Sequence, residues 1–256
     1  MQFTARALTL SLLVALGAAR DVPANVKALH DSIVKQGRCN NPLATGFYSR
    51  DNGKPVYSYC GDHLQDNKII YLQGPGGNLA DMDVDCDGVQ HGAGDDGRCG
   101  SSSDTQSQTS FQDIVRSYGK GIKDLNAFVH PYVVFGNEGQ LPGYKNFHPQ
   151  EHGIEPLSLM AVVCGDKLIY GIWGDTNGDD SLKALVGEAS ISVATACFGK
   201  RINGDAGHDK NDVLYIAFTG KDAVPGANGA HWGTQTYDDF AQSIRGLGDK
   251  LIQRIK

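Results

Sequence analysis

Apolar positions recur along this chain with two different periods, and each period predicts a different element. Near the start, Val26, Leu29 and Ile33 recur at steps of three and four, the spacing of one helical face. Asp21 and Pro23 stand where such a helix begins, and Gly37 stands where it ends. Near the other end, Thr236 can cap a second helix whose Phe240, Ile244, Leu247, Leu251 and Ile255 form another stripe. Both stripes read as faces packed on a core.

Between these helices the pattern shortens. Stretches 68–73, 80–86, 127–135, 157–164, 167–173, 189–198 and 212–219 are short and rich in β-branched or aromatic residues. Gly, Asn and Asp bound them, so they read as strands. Pro131 marks the 127–135 strand as an edge or as locally irregular. The predicted class is β-rich: a single-domain β-barrel with flanking helices near both termini. The polar run GSSSDTQSQTS (100–110) reads as a mobile loop rather than a domain boundary.

Residues 1–19 stand apart. Arg6 precedes a short apolar run ending in Gly17, Ala18 and Ala19, the order of a secretion signal. The run is shorter than the roughly 20 apolar residues that a membrane span needs. A buried N-terminal helix is the alternative. With residues 1–19 as a signal peptide, 20–256 form the mature catalytic domain, expected to be soluble, secreted and extracellular.

Composition then narrows the partners. The net charge is −6, and losing residues 1–19 removes only Arg6, which deepens the acidity. Nucleic acid and anionic membranes recruit Lys and Arg, so neither is expected as a partner, whereas a cationic substrate is. Six cysteines in an oxidising compartment read as disulfides. Pairing Cys39–Cys60, Cys86–Cys99 and Cys164–Cys197 closes three modest loops, although spacing alone does not exclude other pairings. No Cys/His cluster has zinc-ligand spacing, and no metal or cofactor is expected. Nothing requires more than a monomer.

The chemistry concentrates in LIYGIWGDTNGDDSLKALVGEASISV (168–193). A strand ending at Trp173 and Gly174 delivers Asp175, followed by a Gly/Asn/Asp loop and a helix-like 181–186. Glu188 then opens a strand on which Ser190 and Ser192 share one face and Ile191 and Val193 the other. If the two strands are neighbours, Asp175 and Glu188 face each other across a cleft, as glycoside cleavage requires. Turn chemistry and surface solvation explain most such carboxylates equally well.

A second feature is ADMDVDCDG (80–88), where Asp81, Asp83, Asp85 and Asp87 alternate with apolar residues. On a strand they would share one face at intervals of about 7 Å and repel unless cations bind there. Ammonium groups of an amino sugar would serve. Calcium is a rival, since Asp83, Asp85, Asp87 and Gly88 match the start of an EF-hand loop. Its closing Glu is missing, because Gly94 stands there. Tyr132 and Trp173 are candidate stacking platforms for sugar rings, and Asn177 is a candidate polar contact. His130, His148, His152 and His208 are scattered, and the sequence holds no serine or cysteine nucleophile motif, so hydrolase chemistry of that kind is not expected.

The segments DVDCDG (83–88), FVHPYVVFG (128–136), YGIWGDTNGDDS (170–181) and VGEASISVA (186–194) together resemble the fungal chitosanases of glycoside hydrolase family 75. The resemblance implies endo-hydrolysis of β-1,4-linked glucosamine with inversion, chitosan as the partner and a double-psi-like barrel. It places the essential acidic pair on Asp175 and Glu188. Inversion needs carboxyls about 6.5–9.5 Å apart. Glu188, bordering an apolar strand, reads as the general acid, and Asp175, in a polar wet loop, as the base. Alternatives are a hydrolase of chitin or peptidoglycan, and a catalytically silent carbohydrate-binding or expansin-like protein.

Overall fold

The computed structural model describes residues 20–256; the secretion-signal reading concerns residues outside that range. The two amphipathic stripes form helices, except that Ile255 lies beyond the end of the second. α1 spans Ala24–Gln36, buries Val26, Leu29 and Ile33, and ends at Gly37 in the left-handed region (φ 82). α4 spans Tyr237–Leu251, and the Thr236 hydroxyl accepts from the Asp239 backbone N–H at its start. A short α2 (Gln112–Ser117) lies between them in sequence.

The rest is β-rich, a single ten-stranded sheet. Its strands are β1 (Arg20–Asp21), β2 (Pro42–Phe47), β3 (Tyr57–Cys60), β4 (Ile69–Gln73) and β5 (Ala80–Asp85). They continue with β6 (Tyr132–Asn137), β7 (Leu159–Cys164), β8 (Lys167–Asn177), β9 (Glu188–Ser190) and β10 (His208–Phe218). Pairings close into a ring running β8, β6, β9, β5, β10, β7 and back to β8. The β2–β3–β4 meander extends the sheet from β10; of its strands only β4, within the expected 68–73, was legible as a strand, and β2 and β3 were not.

Both faces of the central strands are covered, so they read as continuous apolar runs. In β7, Leu159, Ala161 and Val163 join the cluster containing α1 and α4 residues, while Met160, Val162 and Cys164 join a second cluster with Phe135 and Tyr215. Pro131 sits one residue before β6, where its missing N–H does no harm to the ladder. β6 is no edge: it pairs β8 on one side and β9 on the other, with register shifts against β8.

One predicted strand is overturned. Stretch 189–198 contributes only the end of β9 and then turns into α3, Ile191–Phe198. Its Ser/Ile/Ser/Val alternation mimics a strand, but Ala194, Ala196 and the spacing of Ile191, Ala194 and Cys197 suit a buried helical face. Ser190 and Ser192 therefore share no strand face, although their hydroxyls still meet at 2.9 Å across the start of α3. The helix-like 181–186 is irregular, with one isolated bridge between Leu185 and Tyr48. The disulfides pair as expected, Cys39–Cys60, Cys86–Cys99 and Cys164–Cys197, the last tying α3 to the end of β7.

Candidate active site

Four consecutive strands, β5, β9, β6 and β8, build the floor of an acidic cleft. Residues opposite each other in a sheet project from the same face. Asp83 and Asp85 on β5 pair with Glu188 and Ser190 on β9. Glu188 in turn pairs with Val134 on β6, and Val134 pairs with Asp175 on β8. Asp175 and Glu188 are therefore not on neighbouring strands; β6 runs between them, and both flank Val134.

Simple alternation would send Trp173 and Asp175 to the same face. A register shift prevents this: Val133 pairs with Trp173 and Val134 with Asp175, so Gly174 is an extra residue on β8. Trp173 turns into the core beside Val133, and Asp175 turns into the cleft. A Cβ on Gly174 would lie 2.5 Å from the Tyr132 Cβ and 2.7 Å from Leu125 Cδ1. Gly174→Ala should therefore push β8 off β6, lower the melting temperature and cut turnover at least about tenfold, since small displacements of reacting groups are costly. Unchanged kinetics would show that Asp175 is not positioned by this bulge.

The cleft encloses about 250 Å³, and its lining holds nine carboxylates with no lysine or arginine. Asp51, Asp104, Asp180 and Asp205 form part of it. Each sits in a loop, where carboxylates are common, and no spacing in the sequence marks them. Asp81, the first acid of the alternating run, does not line the cleft. It is buried, accepts a 2.5 Å bond from the Ser49 hydroxyl, and burial with Asp83 nearby pushes it up to about 8. Three acids of that run reach the cleft: Asp83, Asp85 and Asp87.

The two aromatic candidates offer no stacking face. Trp173 and Tyr132 are both 0% exposed. Trp173 instead donates its indole N–H to the Asp175 backbone carbonyl at 2.9 Å. The Tyr132 hydroxyl lies 3.0 Å from Asp85 Oδ1 and 3.1 Å from the Asp87 carbonyl oxygen. Asn177 lines the cleft and donates its side-chain amide to the Leu185 carbonyl at 3.1 Å.

The environments of Asp175 and Glu188 differ in a way the sequence did not suggest. Asp175 lies in no wet loop: it is 6% exposed. Its Oδ1 accepts from the Ser110 hydroxyl (2.5 Å), the Ser110 backbone N–H (3.0 Å) and the Thr176 N–H (2.8 Å). Its Oδ2 is buried without a partner. Burial pushes Asp175 up to about 6, and those donors hold back a larger rise. Glu188 is partly exposed, yet its carboxyl is held well above the usual range by burial first, then by Asp83, Asp175, Asp87 and Asp104. Burial and neighbouring carboxylates also raise Asp85 strongly, while burial is the main cause lifting Asp83 to about 6 and Asp87 to about 7.

One oxygen each from Asp85, Asp87 and Asp175 lies within 4.8 Å of the others, close enough for one cation. That set differs from the calcium-loop pattern, which would start at Asp83. Hard cations and ammonium groups both suit carboxylate oxygens.

Comparison with known proteins bears on what such a cleft is for. The family described as fungal chitosanase of glycosyl hydrolase group 75 matches residues 82–254. Endo-chitosanase B of Aspergillus oryzae is 45% identical over 247 residues, covering 95% of each chain. An endo-chitosanase of Aspergillus fumigatus is likewise 45% identical over 247 residues, with 95% of each chain covered. This chain belongs to the group 75 glycosyl hydrolases. A more distant relative, endo-chitosanase C of Aspergillus oryzae, is 34% identical over 181 residues, which is 68% of this chain and 38% of that protein. The match to the family includes every cleft strand from β5 onward except the first two residues of β5. Among the described residues, no helix is long and apolar enough to cross a membrane.

Proposed function

We propose that this family member is a secreted, monomeric endo-chitosanase that cleaves β-1,4-linked glucosamine with inversion and needs no cofactor. Residues 20–256 form its catalytic domain, and the closed ring of six strands is read as a double-psi-like barrel. The observation that carries the reading is the register of Asp175 and Glu188 with Val134, in a cleft whose charged lining residues are all acidic. Two strand spacings put their backbones about 9.5 Å apart. Side chains leaning over Val134 then suit the separation of about 6.5–9.5 Å that leaves room for a water.

Glu188 keeps its proton and donates it to the departing glycosidic oxygen. Asp175 stays ionised because three donors converge on Oδ1, and the unpartnered Oδ2 takes the proton of the water attacking the anomeric carbon. The glycosidic C–O bond breaks as the new C–O bond forms on the opposite ring face, and both protons are accounted for. Asp83, Asp85 and Asp87 bind the ammonium groups of the polymer. Secretion is supported by the three disulfides, which persist in oxidising compartments.

Proton NMR of a fresh digest of fully deacetylated hexamer tests this directly. The expected first product is the α-anomer, with internal bonds cut by mass spectrometry. A β-anomer would mean retention, and cleavage of chitin in preference to chitosan would mean another glycan as substrate. Binding without any cleavage would point to a silent carbohydrate-binding protein.

A further inference from the structure

The polar run 100–110 has the composition of a free tether, yet its last residues are held from two sides. Thr109 is buried and donates its backbone N–H to Asp124 Oδ2 at 2.8 Å and its hydroxyl to Asp124 Oδ1 at 2.6 Å. Asp124, 2% exposed, also accepts from the Gln112 side-chain amide (2.9 Å) and from the Leu125 N–H (2.7 Å). The next residue, Ser110, gives both its N–H and its hydroxyl to Asp175 Oδ1, and its Oγ accepts from the Thr176 N–H at 3.1 Å. Phe111 closes the turn by packing edge-on against Trp173, with ring centroids 4.7 Å apart. A segment of four residues thus bridges a buried structural carboxylate and a cleft carboxylate.

We propose that Ser110 is a positioning residue for the reaction, and that Asp124 sets it in place by holding the turn that carries it. This inference rests on Asp175 being one of the two reacting carboxyls. Its physical content is an asymmetry within one side chain. Ser110 occupies Oδ1, which fixes the carboxyl plane and leaves Oδ2 as the oxygen available to the reacting water.

The same contact sets protonation. The charged and titratable groups around Asp175 are Asp85 from β5, Asp87 from the turn after it, Tyr132 from β6, Glu188 from β9 and Asp124 behind the loop. None of them is a cation. Only the hydrogen bonds from Ser110 and Thr176 favour the ionised carboxylate, so losing the Ser110 hydroxyl leaves its effect uncompensated.

The test compares pH–rate profiles of wild type, Ser110→Ala, Ser110→Thr and Asp124→Asn on deacetylated hexamer, alongside carbon-13 NMR titration of the Asp175 carboxyl without substrate. A hydrogen bond to an ionised group favours the charged form, so Ser110→Ala should raise the acidic limb by about one pH unit. Below that limb kcat should fall about tenfold, with KM within about twofold, because the lost group acts on proton acceptance rather than binding. Ser110→Thr, which keeps the hydroxyl, should restore the limb. Asp124→Asn should move it in the same direction while also lowering the melting temperature.

A uniform loss of kcat with both limbs unmoved, or an Asp175 titration unchanged in Ser110→Ala, overturns the proposal. Movement of the alkaline limb instead supports the positioning role and makes Asp175 the acid. If chitosan is not cleaved at all, the NMR titration still decides whether Ser110 governs Asp175.

Discussion

Asp175→Asn and Glu188→Gln should each lower kcat on chitosan by about 10²–10⁴ while leaving the melting curve in place. Asparagine preserves an oxygen that can accept the Ser110 and Thr176 donors, so the local structure survives the change. What is lost is the negative Oδ2 that would take the proton from water. Glutamine at 188 keeps shape and hydrogen-bonding capacity but has no proton to give. An aryl glucosaminide separates the roles, since its leaving group departs without protonation. Glu188→Gln should recover most of its turnover on that substrate, and Asp175→Asn should not. The reverse pattern would exchange the roles. A variant retaining more than about a tenth of wild-type turnover on chitosan would remove that residue from the mechanism.

Neutralising Asp83, Asp85 and Asp87 together should lower kcat/KM on fully deacetylated polymer by about 10²–10³, and far less on acetylated oligomers. Charge-assisted hydrogen bonds each contribute about 1.5–3 kcal/mol, partly offset here by screening and by the desolvation already present. Added salt should imitate the change on wild type, because charges beyond about 8–10 Å are screened. Equal losses on both substrates would make the three acids structural.

The same variant should flatten a stability trend. Burial first, and carboxylate neighbours as well, raise Asp83 to about 6 and Asp87 to about 7, from an ordinary value of 3.8. A raised carboxyl is fully compatible with the fold below its unfolded value and costs stability as pH rises through its folded value. Wild type without substrate should therefore melt lower at pH 8 than at pH 5. The triple variant should lose most of that slope and melt about 5 °C or more above wild type at pH 8. Asp81, raised to about 8, Asp175, raised to about 6, and Glu188, also raised, keep part of the slope in both proteins. A chelator that lowers the wild-type melting temperature would instead place a metal ion among Asp85, Asp87 and Asp175.

The sequence by itself determined whatever local periodicity and covalent spacing control. The stripes of α1 and α4, the Thr236 cap and most central strands follow from neighbours within a few positions. The tertiary structure decided everything that depends on which strands meet. Ile191–Phe198 became a helix because burial on a helical face and the bond from Cys197 outweigh a two-residue alternation. The extra Gly174 sent Trp173 and Asp175 to opposite faces, and such a bulge exists only relative to the partner strand. Tyr132 and Trp173 looked free to stack on sugar, but closure of the ring buried both. Ser110 lies 65 positions before Asp175 in a run without apolar pattern, so no periodicity points to it. Its role exists only because Asp124 and β8 hold that turn from two sides, and hydrogen bonds across such separations leave no mark in local sequence.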